Sequence, residues 1–396
     1  MSDWKWTGPA EPMLLLMRAL RARGHVVELV CPAPPAGAGR SLAEEAAKRG
    51  LAPIASIAPG RSAWQRGDGA RVRRLAQWLT TPVLGGPFDV VHTWHTRDHV
   101  LAARALGRLS LVPAPRAGAS RLVRFASRAE PIPDRPWNRW LFGRACDGLL
   151  CVSAASASAN RRVRPLGPIE VTPGAVDLEA FGVGESAGAL ESARARRRAA
   201  CAALGLPEDS LLIGVVARLQ AHRRFDLLFE ALATFVRHRP EARLVLFGRG
   251  TRAEAVVEAP VRALGLEGHV VRAGYRVEDY AALVGGMDLF TFLVPGSDGT
   301  CRALREAAAL GLPMVGTRRG AIPEIIVDGE TGLLVDEDPA SLVAAWERLA
   351  ADPDARRAMG EAARRDARAR FSPAGLAELA ERFYAALGRS APISSR

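Results

Sequence analysis

The segment at residues 294–313 combines the features of an anion-binding site. It reads Val-Pro-Gly-Ser-Asp-Gly-Thr-Cys-Arg-Ala-Leu-Arg-Glu-Ala-Ala-Ala-Leu-Gly-Leu-Pro. This pattern predicts an apolar strand, a glycine-rich loop, and a helix over about 300–310. Unpaired amides and the helix dipole favour negative charge at a helix start, so we expect a diphosphate to bind there. The amides concerned are those of Gly299, Thr300, Cys301 and Arg302.

Two carboxylates accompany this predicted anion site. Asp298 lies in the loop, and Glu306 lies about two turns into the helix. Carboxylates accept hydrogen bonds from hydroxyl groups, so the pair could hold a sugar and a ribose on either side of the phosphate. The alternative is an ordinary helix start with a Glu306 that faces solvent.

Fixed positive charges follow another predicted strand, at 211–217. Arg218 and Arg223 lie in the loop between that strand and the next helix. Ligands of open α/β sheets bind at the carboxyl ends of strands, and two cations there would neutralise a leaving diphosphate. Arginine is common in this chain, so either residue alone would be weak evidence.

Weaker candidates follow the next two strands. Gly248 and Gly250 come after the strand at 243–247 and could merely reverse the chain. Tyr275 and Arg276 come after the strand at 270–273, and the tyrosine ring could pack either on a base or in the core. We assign all four residues to the same binding site.

A histidine cluster follows the predicted strand at 89–92 in the first half of the chain. It contains His92, His95, Asp98 and His99. Three imidazoles and a carboxylate this close in sequence could hold a metal ion. The alternative is a site for an organic substrate.

The elements that position these residues alternate along the chain, with short β-branched runs between longer helical patterns. This alternation predicts parallel sheets covered by helices, and 396 residues exceed what one core usually fills. We therefore expect two doubly wound domains, at 1–205 and 206–371, with a last helix in 372–396 that packs back toward the first domain. The remaining predicted strands are 26–31, 53–57, 148–152, 169–172, 289–294 and 313–316, and the remaining predicted helices are 12–23, 226–239, 278–284 and 373–387.

The predicted first domain departs from this pattern at its start. A doubly wound domain normally opens with a strand before a glycine-bearing turn and a helix. Residues 4–12 already have the character of that turn. We expect that the first strand is missing, either because it is lost or because the true start lies upstream, and we favour the second explanation.

Composition limits the class of protein. With 48% hydrophobic and 24% charged residues the chain should fold, and no apolar run reaches the ~18–20 residues of a membrane span. The amino-terminal residues lack a secretory pattern, so we expect a cytoplasmic protein. Five cysteines without Cys-x-x-Cys spacing predict reduced, buried thiols rather than disulfides or a zinc site.

The positive charge is unevenly distributed. Residues 1–200 contain 29 Lys and Arg against 16 Asp and Glu, whereas residues 201–396 contain 25 against 26. The first half could therefore meet an anionic membrane surface or a phosphorylated acceptor. The alternative is a solvated basic surface that reflects an arginine-rich composition. Nucleic acid is disfavoured because no binding module is recognisable.

Several of these residues stand in motifs that occur together in one family. In the second half they are Ala217-Arg-Leu, Arg223, Asp226, Phe247-Gly-Arg-Gly, Gly274, the acidic pair eight apart, Ala309-Leu-Gly-Leu-Pro, Gly320-Ala-Ile-Pro-Glu and Thr331-Gly-Leu-Leu-Val. In the first half they are Arg23-Gly-His-Val-Val, Asp89-Val-Val-His and Val171-Thr-Pro-Gly-Ala-Val-Asp-Leu-Glu-Ala-Phe. The chain thereby resembles retaining glycosyltransferase family 4, of GT-B fold, which implies two Rossmann-like domains that face a cleft.

The resemblance implies transfer of a hexose from a UDP- or GDP-sugar to a glycan or lipid-linked acceptor, without a metal or other cofactor. Glu306 would hold the ribose and Asp298 the sugar hydroxyls, while Arg218 and Arg223 would hold the diphosphate. Asp298 and Arg223 would also act in catalysis. His92 or His95 would lie near the reacting carbon. The acceptor side would include Gly8, Asp98 and His99.

The sequence also departs from the family pattern. Arg223-Arg224 replaces Lys-Gly, Asp298 replaces a glutamate, Gly8-Pro9 replaces a double glycine, and Pro173-Gly174-Ala175 replaces Asn-Gly. These differences leave two alternatives open. One is a sugar-nucleotide epimerase of similar fold, and the other is a non-catalytic protein that binds sugar nucleotides.

Overall fold

The computed structural model describes residues 1, 3–6, 10–57, 68–80, 87–109, 120–128, 130–181, 189–295 and 299–389, with backbone only at 189–192, 388 and 389. The chain divides into two compact units. Unit 1 contains Met1–Ala175 and Pro373–Arg396, and unit 2 contains Val176–Ser372.

Unit 1 contains the first six strands and the first six helices of the chain. The strands are β1 (Leu29–Val30), β2 (Pro53–Ile54), β3 (Val90–Thr93), β4 (Arg121–Ala126), β5 (Gly148–Cys151) and β6 (Ile169–Val171). The helices are α1 (Ala10–Ala22), α2 (Leu42–Lys48), α3 (Asp68–Thr80), α4 (Thr96–Ala105), α5 (Pro136–Ala145) and α6 (Ala154–Asn160). A single 3-10 turn, Arg161–Val163, follows α6.

The strands of unit 1 form two separate parallel sheets. One contains β1 and β2, and the other has the order β3-β4-β5-β6. Residues of β1 and β3 both line a cavity of about 810 Å³, together with apolar side chains such as Met17, Leu75 and Leu101. In the described part of the chain no strand precedes α1. The open space therefore lies beside the two sheet edges where a first strand would be expected.

Unit 2 contains one continuous parallel sheet with the order β12-β11-β10-β7-β8-β9. Its strands are β7 (Leu211–Val216), β8 (Ala242–Phe247), β9 (Val270–Gly274), β10 (Leu289–Phe292), β11 (Met314–Thr317) and β12 (Gly332–Val335). Its helices are α7 (Ala189–Leu204), α8 (Phe225–Phe235), α9 (Ala259–Ala263), α10 (Tyr280–Val284), α11 (Arg302–Leu310), α12 (Ile322–Ile325), α13 (Pro339–Ala351) and α14 (Pro353–Arg370), with a π-helical turn at Glu254–Glu258.

The first boundary between the units lies after Ala175, not after residue 205 as we predicted. Helix α7 belongs to unit 2 because its buried Ala200 and Cys201 join the apolar core that contains Val284 and Met287. Arg197 of the same helix also forms an ion pair with Asp288 at 2.5 Å. The sequence of α7 is rich in charge, but one face of the helix is part of the second core.

The last helix, α15 (Pro373–Arg389), returns to unit 1. Its Leu376 and Ala380 pack with Leu15 and Leu20 of α1. Glu381 adds an ion pair to Arg23 and a hydrogen bond with Nε2 of His25, each at 2.8 Å. The helix predicted at 373–387 therefore docks on the first helix of the chain.

Two expectations from composition can be compared with the described residues. The five cysteines are buried and none forms a disulfide. In the described ranges, no helix has both the length and the apolar character that a membrane span requires.

Candidate functional site

The sheet of unit 2 has a point at which the strand order reverses. From β7 the chain proceeds to β8 and β9 on one side, and it then returns to the other side of β7 with β10. In open parallel sheets, ligands bind outside the carboxyl ends of the strands at such a switch point. The loops that follow β7 and β10 carry the predicted arginines and the predicted helix start. The topology therefore brings these two loops to neighbouring positions.

Arg223 connects these two loops directly. It ends a short 3-10 turn after β7, and its Nη1 donates to the carbonyl oxygen of Val294, just after β10, at 2.8 Å. Its side chain is partly buried. Arg218 is exposed in the same loop. Both residues thus lie at the carboxyl end of the sheet.

Arg224 has a different role from Arg223. It adopts a left-handed conformation (φ 58°) directly before α8, and its guanidinium pairs with Asp226 and Glu337. Its charge is therefore matched by two carboxylates of unit 2. Arg223 is the member of this pair that reaches the switch point.

Gly248 and Gly250 allow the loop after β8 to lie against the loop after β7. A Cβ atom at Gly248 would lie 2.0 Å from the carbonyl oxygen of Ala217, and one at Gly250 would lie 2.4 Å from that of Leu219. Gly248 also has φ 140°. Any side chain would force the backbones apart, so these glycines permit a close approach and do more than reverse the chain.

The predicted anion site begins α11. The helix starts at Arg302, two residues later than predicted, and Thr300 is completely buried. Cys301 is buried in a left-handed conformation (φ 47°), which is uncommon for a residue other than glycine. Gly299 is also buried. The predicted Asp298 lies outside the described residues.

Glu306 is buried on α11, with 4% of its surface exposed. The hydroxyl of Tyr280 donates to its Oε2 at 2.6 Å, and Nε of Arg302 lies 3.2 Å from its Oε1. The solvent-facing alternative for Glu306 is therefore wrong. These contacts fix the orientation of the carboxylate near the predicted diphosphate position. Sequence reasoning missed Tyr280, because nothing in the sequence connects it with a residue 26 positions later.

Tyr275 and Arg276 lie on the surface after β9. The tyrosine is 47% exposed, so it does not pack in the core, and the guanidinium of Arg249 lies 4.4 Å above its ring centre. Arg276 pairs with Asp279 at 3.2 Å, and its Nε is buried without a hydrogen-bond partner. An exposed ring after the edge strand β9 is available for contact with a ligand.

His99, predicted on the acceptor side, instead lies in the core of unit 1. It has no exposed surface, its ring stacks on Phe142 at 4.9 Å, and its Nδ1 lies 3.0 Å from the hydroxyl of Thr93. Burial, together with the charge of Arg124, lowers the pKa of His99 to about 3. The acceptor-side assignment is corrected, because no acceptor can reach a side chain so enclosed.

Asp98 and His95 begin helix α4 together. Oδ2 of Asp98 accepts the backbone amide of His95 at 2.9 Å, and Nδ1 of His95 lies 3.3 Å from the same oxygen. Asp98 is 6% exposed, whereas His95 is partly exposed. The carboxylate is thus committed to a helix cap, and the imidazole is the accessible member of the pair.

His92 is half-buried and lines the cavity of unit 1. Its Nδ1 lies 3.2 Å from the hydroxyl of Tyr384, and its Nε2 is buried without a hydrogen-bond partner. The apolar surroundings and the charge of Arg124 lower the pKa of His92 to about 3. Burial also raises the pKa of Tyr384. Gly8 lies outside the described residues.

The metal-site alternative depended on these histidines. Among the residues that the structure describes, no group of three or more His, Cys, Asp or Glu side chains could hold a metal ion. His92 and His99 are instead directed to the hydroxyls of Tyr384 and Thr93.

Comparison with known families agrees with the division into two similar halves. Residues 10–180 match the family described as Glycosyltransferase Family 4, and residues 197–366 match the family described as Glycosyl transferases group 1. The GDP-mannose-dependent alpha-(1-6)-phosphatidylinositol monomannoside mannosyltransferase of Mycolicibacterium smegmatis is 31% identical over 296 residues, which cover 70% of this chain and 72% of that protein. The chain therefore belongs to the family 4 (group 1) glycosyltransferases.

Other relatives and solved structures add to this result. The D-inositol 3-phosphate glycosyltransferase of Corynebacterium diphtheriae is 31% identical over 54% of this chain and 49% of that protein. The chain thus spans about half the length of several curated relatives that it matches. Anabaena HepE, solved with UDP, has a TM-score of 0.76 at 17% identity over 97% of this chain and 98% of its own. WaaG, a glycosyltransferase involved in lipopolysaccharide biosynthesis, has a TM-score of 0.61 at 16% identity over 98% and 99%. These likenesses show the GT-B fold.

Proposed function

We propose that this protein is a retaining glycosyltransferase that moves a hexose from a nucleoside-diphosphate sugar to an acceptor. The observation that carries the proposal is the hydrogen bond from Arg223 to the carbonyl of Val294, at the switch point of the unit 2 sheet. A cation in this position can neutralise a diphosphate whose other oxygens face the amides around Gly299 and Cys301.

The proposed donor contacts use the site residues that the sequence predicts. Arg218 and Arg223 bind the diphosphate, and the buried carboxylate of Glu306 accepts hydrogen bonds from the ribose hydroxyls. Tyr275 and Arg276 contribute to the nucleotide side, and Asp298 binds the sugar hydroxyls. The arginines and backbone amides supply the positive charge, so the proposal includes no metal or other cofactor.

The reaction retains configuration at the sugar carbon. The bond between that carbon and the diphosphate oxygen breaks, and a bond to the acceptor oxygen forms on the same face. The acceptor proton passes to the departing phosphate, whose charge the arginines hold. His95, which is partly exposed, and His92, which lines the cavity, are the two candidates to orient the sugar or the acceptor.

The donor is a UDP- or GDP-sugar, and the acceptor is a glycan or a lipid-linked molecule. Two observations support these classes: one relative is named as a GDP-mannose-dependent phosphatidylinositol monomannoside mannosyltransferase, and one structural neighbour was solved with UDP. The positive excess of residues 1–200 supports a cytoplasmic enzyme that works peripherally at the inner face of a membrane.

Incubation with UDP- and GDP-hexoses, with and without glycan or lipid-linked acceptors, tests the activity. Acceptor-dependent release of nucleotide supports the transferase. Formation of an epimer without acceptor would support the epimerase alternative, and nucleotide binding without turnover would support the non-catalytic one.

The variant Glu306→Gln tests the donor site itself. A carboxylate can accept two ribose hydroxyls, whereas an amide has one acceptor oxygen. We expect nucleotide binding to weaken by roughly 1.5–3 kcal/mol, the usual range for a hydrogen bond to a charged group. Isothermal titration with UDP and GDP measures the change, after a thermal melt has shown that the variant folds.

Two further variants sharpen this test. Tyr280→Phe keeps the charge of Glu306 but removes the hydroxyl that orients it, so we expect a smaller loss of affinity. Glu267→Gln removes an exposed carboxylate of unit 2 away from α11 and should change nothing. Wild-type nucleotide affinity in a well-folded Glu306→Gln protein would remove α11 from the donor site.

A further inference from the structure

Helix α5 of unit 1 exposes two tryptophans. Trp137 is 47% exposed and Trp140 is 39% exposed, and their rings stack with centroids 4.9 Å apart. Phe142, on the opposite side of the same helix, and Leu141 are completely buried. The two tryptophan rings are therefore not needed to pack α5 against the core of unit 1. Large aromatic side chains left together in water are unusual and mark a surface with a partner.

Exposed arginines surround this pair. Arg144 follows the tryptophans at helical spacing, so the three side chains lie along one side of α5. The turn Arg161–Val163 lies beside the helix, since a Cβ at Gly143 would come within 3.2 Å of the carbonyl oxygen of Arg164. We call this surface the Trp–Arg face; it consists of Trp137, Trp140, Arg144, Arg161, Arg162 and Arg164.

Acidic groups do little to offset this charge. Asp134, before α5, pairs with Arg139 at 2.5 Å, and the charges of Arg162 and Arg164 add to that contact in lowering its pKa. Asp147, after α5, is buried in an ion pair with Arg108 at 2.6 Å. The four arginines of the Trp–Arg face are exposed, and the carboxylate of Asp134, close to Arg162 and Arg164, already pairs with Arg139.

We propose that the Trp–Arg face docks unit 1 on an anionic lipid surface. Tryptophan favours the boundary between lipid headgroups and hydrocarbon, because its ring is apolar and its N–H is polar. Each arginine near an anionic bilayer adds about 1 kcal/mol of attraction. Stable peripheral binding generally needs two such signals, and this face combines both.

The arrangement favours a membrane over two other partners. Single-stranded nucleic acid stacks its bases on open aromatic faces, whereas each of these rings already covers one face of the other. A protein partner would normally meet a mixed rim of both signs, whereas four exposed arginines stand here beside Asp134, which already pairs with Arg139. This docking rests on the proposed peripheral action at a membrane but not on the donor site in unit 2, so vesicle binding can fail while the transfer activity holds, and the reverse.

Vesicle sedimentation with the full chain tests the proposal. We expect binding to vesicles of phosphatidylcholine with about 30% phosphatidylglycerol, and little binding to phosphatidylcholine alone. Raising the salt concentration should weaken the binding, because screening shortens the reach of the arginines. Brominated lipid should quench tryptophan fluorescence in the anionic vesicles.

Two double variants separate the two signals. Trp137→Ala/Trp140→Ala keeps all the charge, and Arg161→Glu/Arg162→Glu keeps both rings. We expect each to weaken vesicle binding at least tenfold, and the first to lose most of the quenching by brominated lipid. The matched control is Arg237→Glu/Arg365→Glu, which makes the same charge change at exposed positions of unit 2 and should bind nearly as well as wild type.

Several outcomes would overturn the proposal. Wild-type vesicle binding by a well-folded Trp137→Ala/Trp140→Ala protein would exclude the aromatic pair from docking. An equal loss in the control variant would mean that only net charge matters. Equal binding to neutral vesicles, or tryptophan-dependent binding to single-stranded RNA that is tighter than to vesicles, would assign the face to another partner. Circular dichroism and thermal melts establish that each variant is folded.

Discussion

The two units share one architecture, but their sheets differ at the centre. In unit 2, β7 pairs with β8 on one side and with β10 on the other, so six strands form one sheet. In unit 1 the corresponding space between β1 and β3 is a cavity of about 810 Å³, and the strands form two sheets. A continuous sheet holds neighbouring loops at fixed spacing, and a divided one does not.

The polar groups of the two units reflect this difference. In unit 2 the loop after β7 is tied to the loop after β10 by Arg223, and Glu306 is held by Tyr280 and Arg302. In unit 1 His92 has a buried nitrogen without a partner and faces the cavity. The candidate donor residues of unit 2 are therefore held in fixed positions, whereas unit 1 has unfilled space beside its polar residues.

The largest effect that follows from this comparison concerns Arg223→Ala. Negative charge on the diphosphate grows as the glycosidic bond breaks, so a cation stabilises the transition state more than bound donor. We expect kcat to fall by roughly 100- to 1,000-fold, the range for loss of one such group. Steady-state kinetics with a fixed acceptor measures it.

Two controls make this result specific. Arg223→Lys keeps a positive charge and should retain more activity than the alanine variant, although it loses the planar fork. Arg237→Ala, at an exposed position beyond α8, should leave kcat unchanged. A kcat for Arg223→Ala close to that of wild type would mean that the link between the two loops is structural only.

The same comparison explains what could be predicted from the sequence. In unit 2, apolar runs and loop motifs coincide with strands and their carboxyl ends, so Arg223 and Glu306 could be located in advance. Strand β4 was missed because Arg121 and Arg124 interrupt its apolar run. Arg124 is nevertheless 7% exposed, which no local pattern indicates.

Tertiary contacts were the least predictable part of the site. His92, His95, Asp98 and His99 are close together in the sequence and were predicted to share one site. They lie on a strand, at a helix start and within that helix, so their side chains have different surroundings. His99 points into the core, and Asp98 caps a helix. Sequence spacing shows that such groups are close along the chain but not which way each one faces.

The second prediction concerns the cavity of unit 1. Met1 lies at its edge, and its amino group donates to the carbonyl oxygen of Val30 at 2.5 Å. Six alternating Val and Leu residues fused ahead of Met1 would therefore lie parallel to β1 and β3 and could pair with both. Burial of each apolar side chain would stabilise the fold by roughly 1.5–3 kcal/mol, and new hydrogen bonds would add to this. Fixing the backbone of each added residue would cost about 1–2 kcal/mol of conformational entropy.

We expect a net gain of about 2 kcal/mol, which raises the melting temperature of unit 1 by roughly 4–8 °C. Differential scanning calorimetry measures it, and hydrogen exchange should show new protection in β1 and β3. A Gly-Ser segment of the same length serves as the control. Equal melting of the two fusions would show that the cavity does not accept a strand.

The smallest predicted effect is a pH dependence that arises in unit 1. The pKa of His99 is about 3 in the folded protein, because burial and the charges of Arg124 and Arg108 outweigh the attraction of Asp98, whereas its ordinary value is 6.5. Between these values the unfolded chain binds the extra proton, so stability rises with pH across this window and falls on acidification. The titration of His99 alone should make the free energy of unfolding about 1.4 kcal/mol lower at pH 5.5 than at pH 7.5.

The variant His99→Gln removes this titration while leaving a side chain that can hydrogen-bond Thr93. The variant should be less stable than wild type at pH 7.5, because it loses the ring stack on Phe142, but its stability should change less between pH 7.5 and 5.5. Urea unfolding at both pH values measures the difference, and hydrogen exchange in β3 and β4 shows whether it arises in unit 1. The matched control is His238→Gln, at an exposed position of unit 2. If wild type and His99→Gln lose the same free energy on acidification, His99 does not contribute to the acid sensitivity of unit 1, which would then rest on groups such as His92.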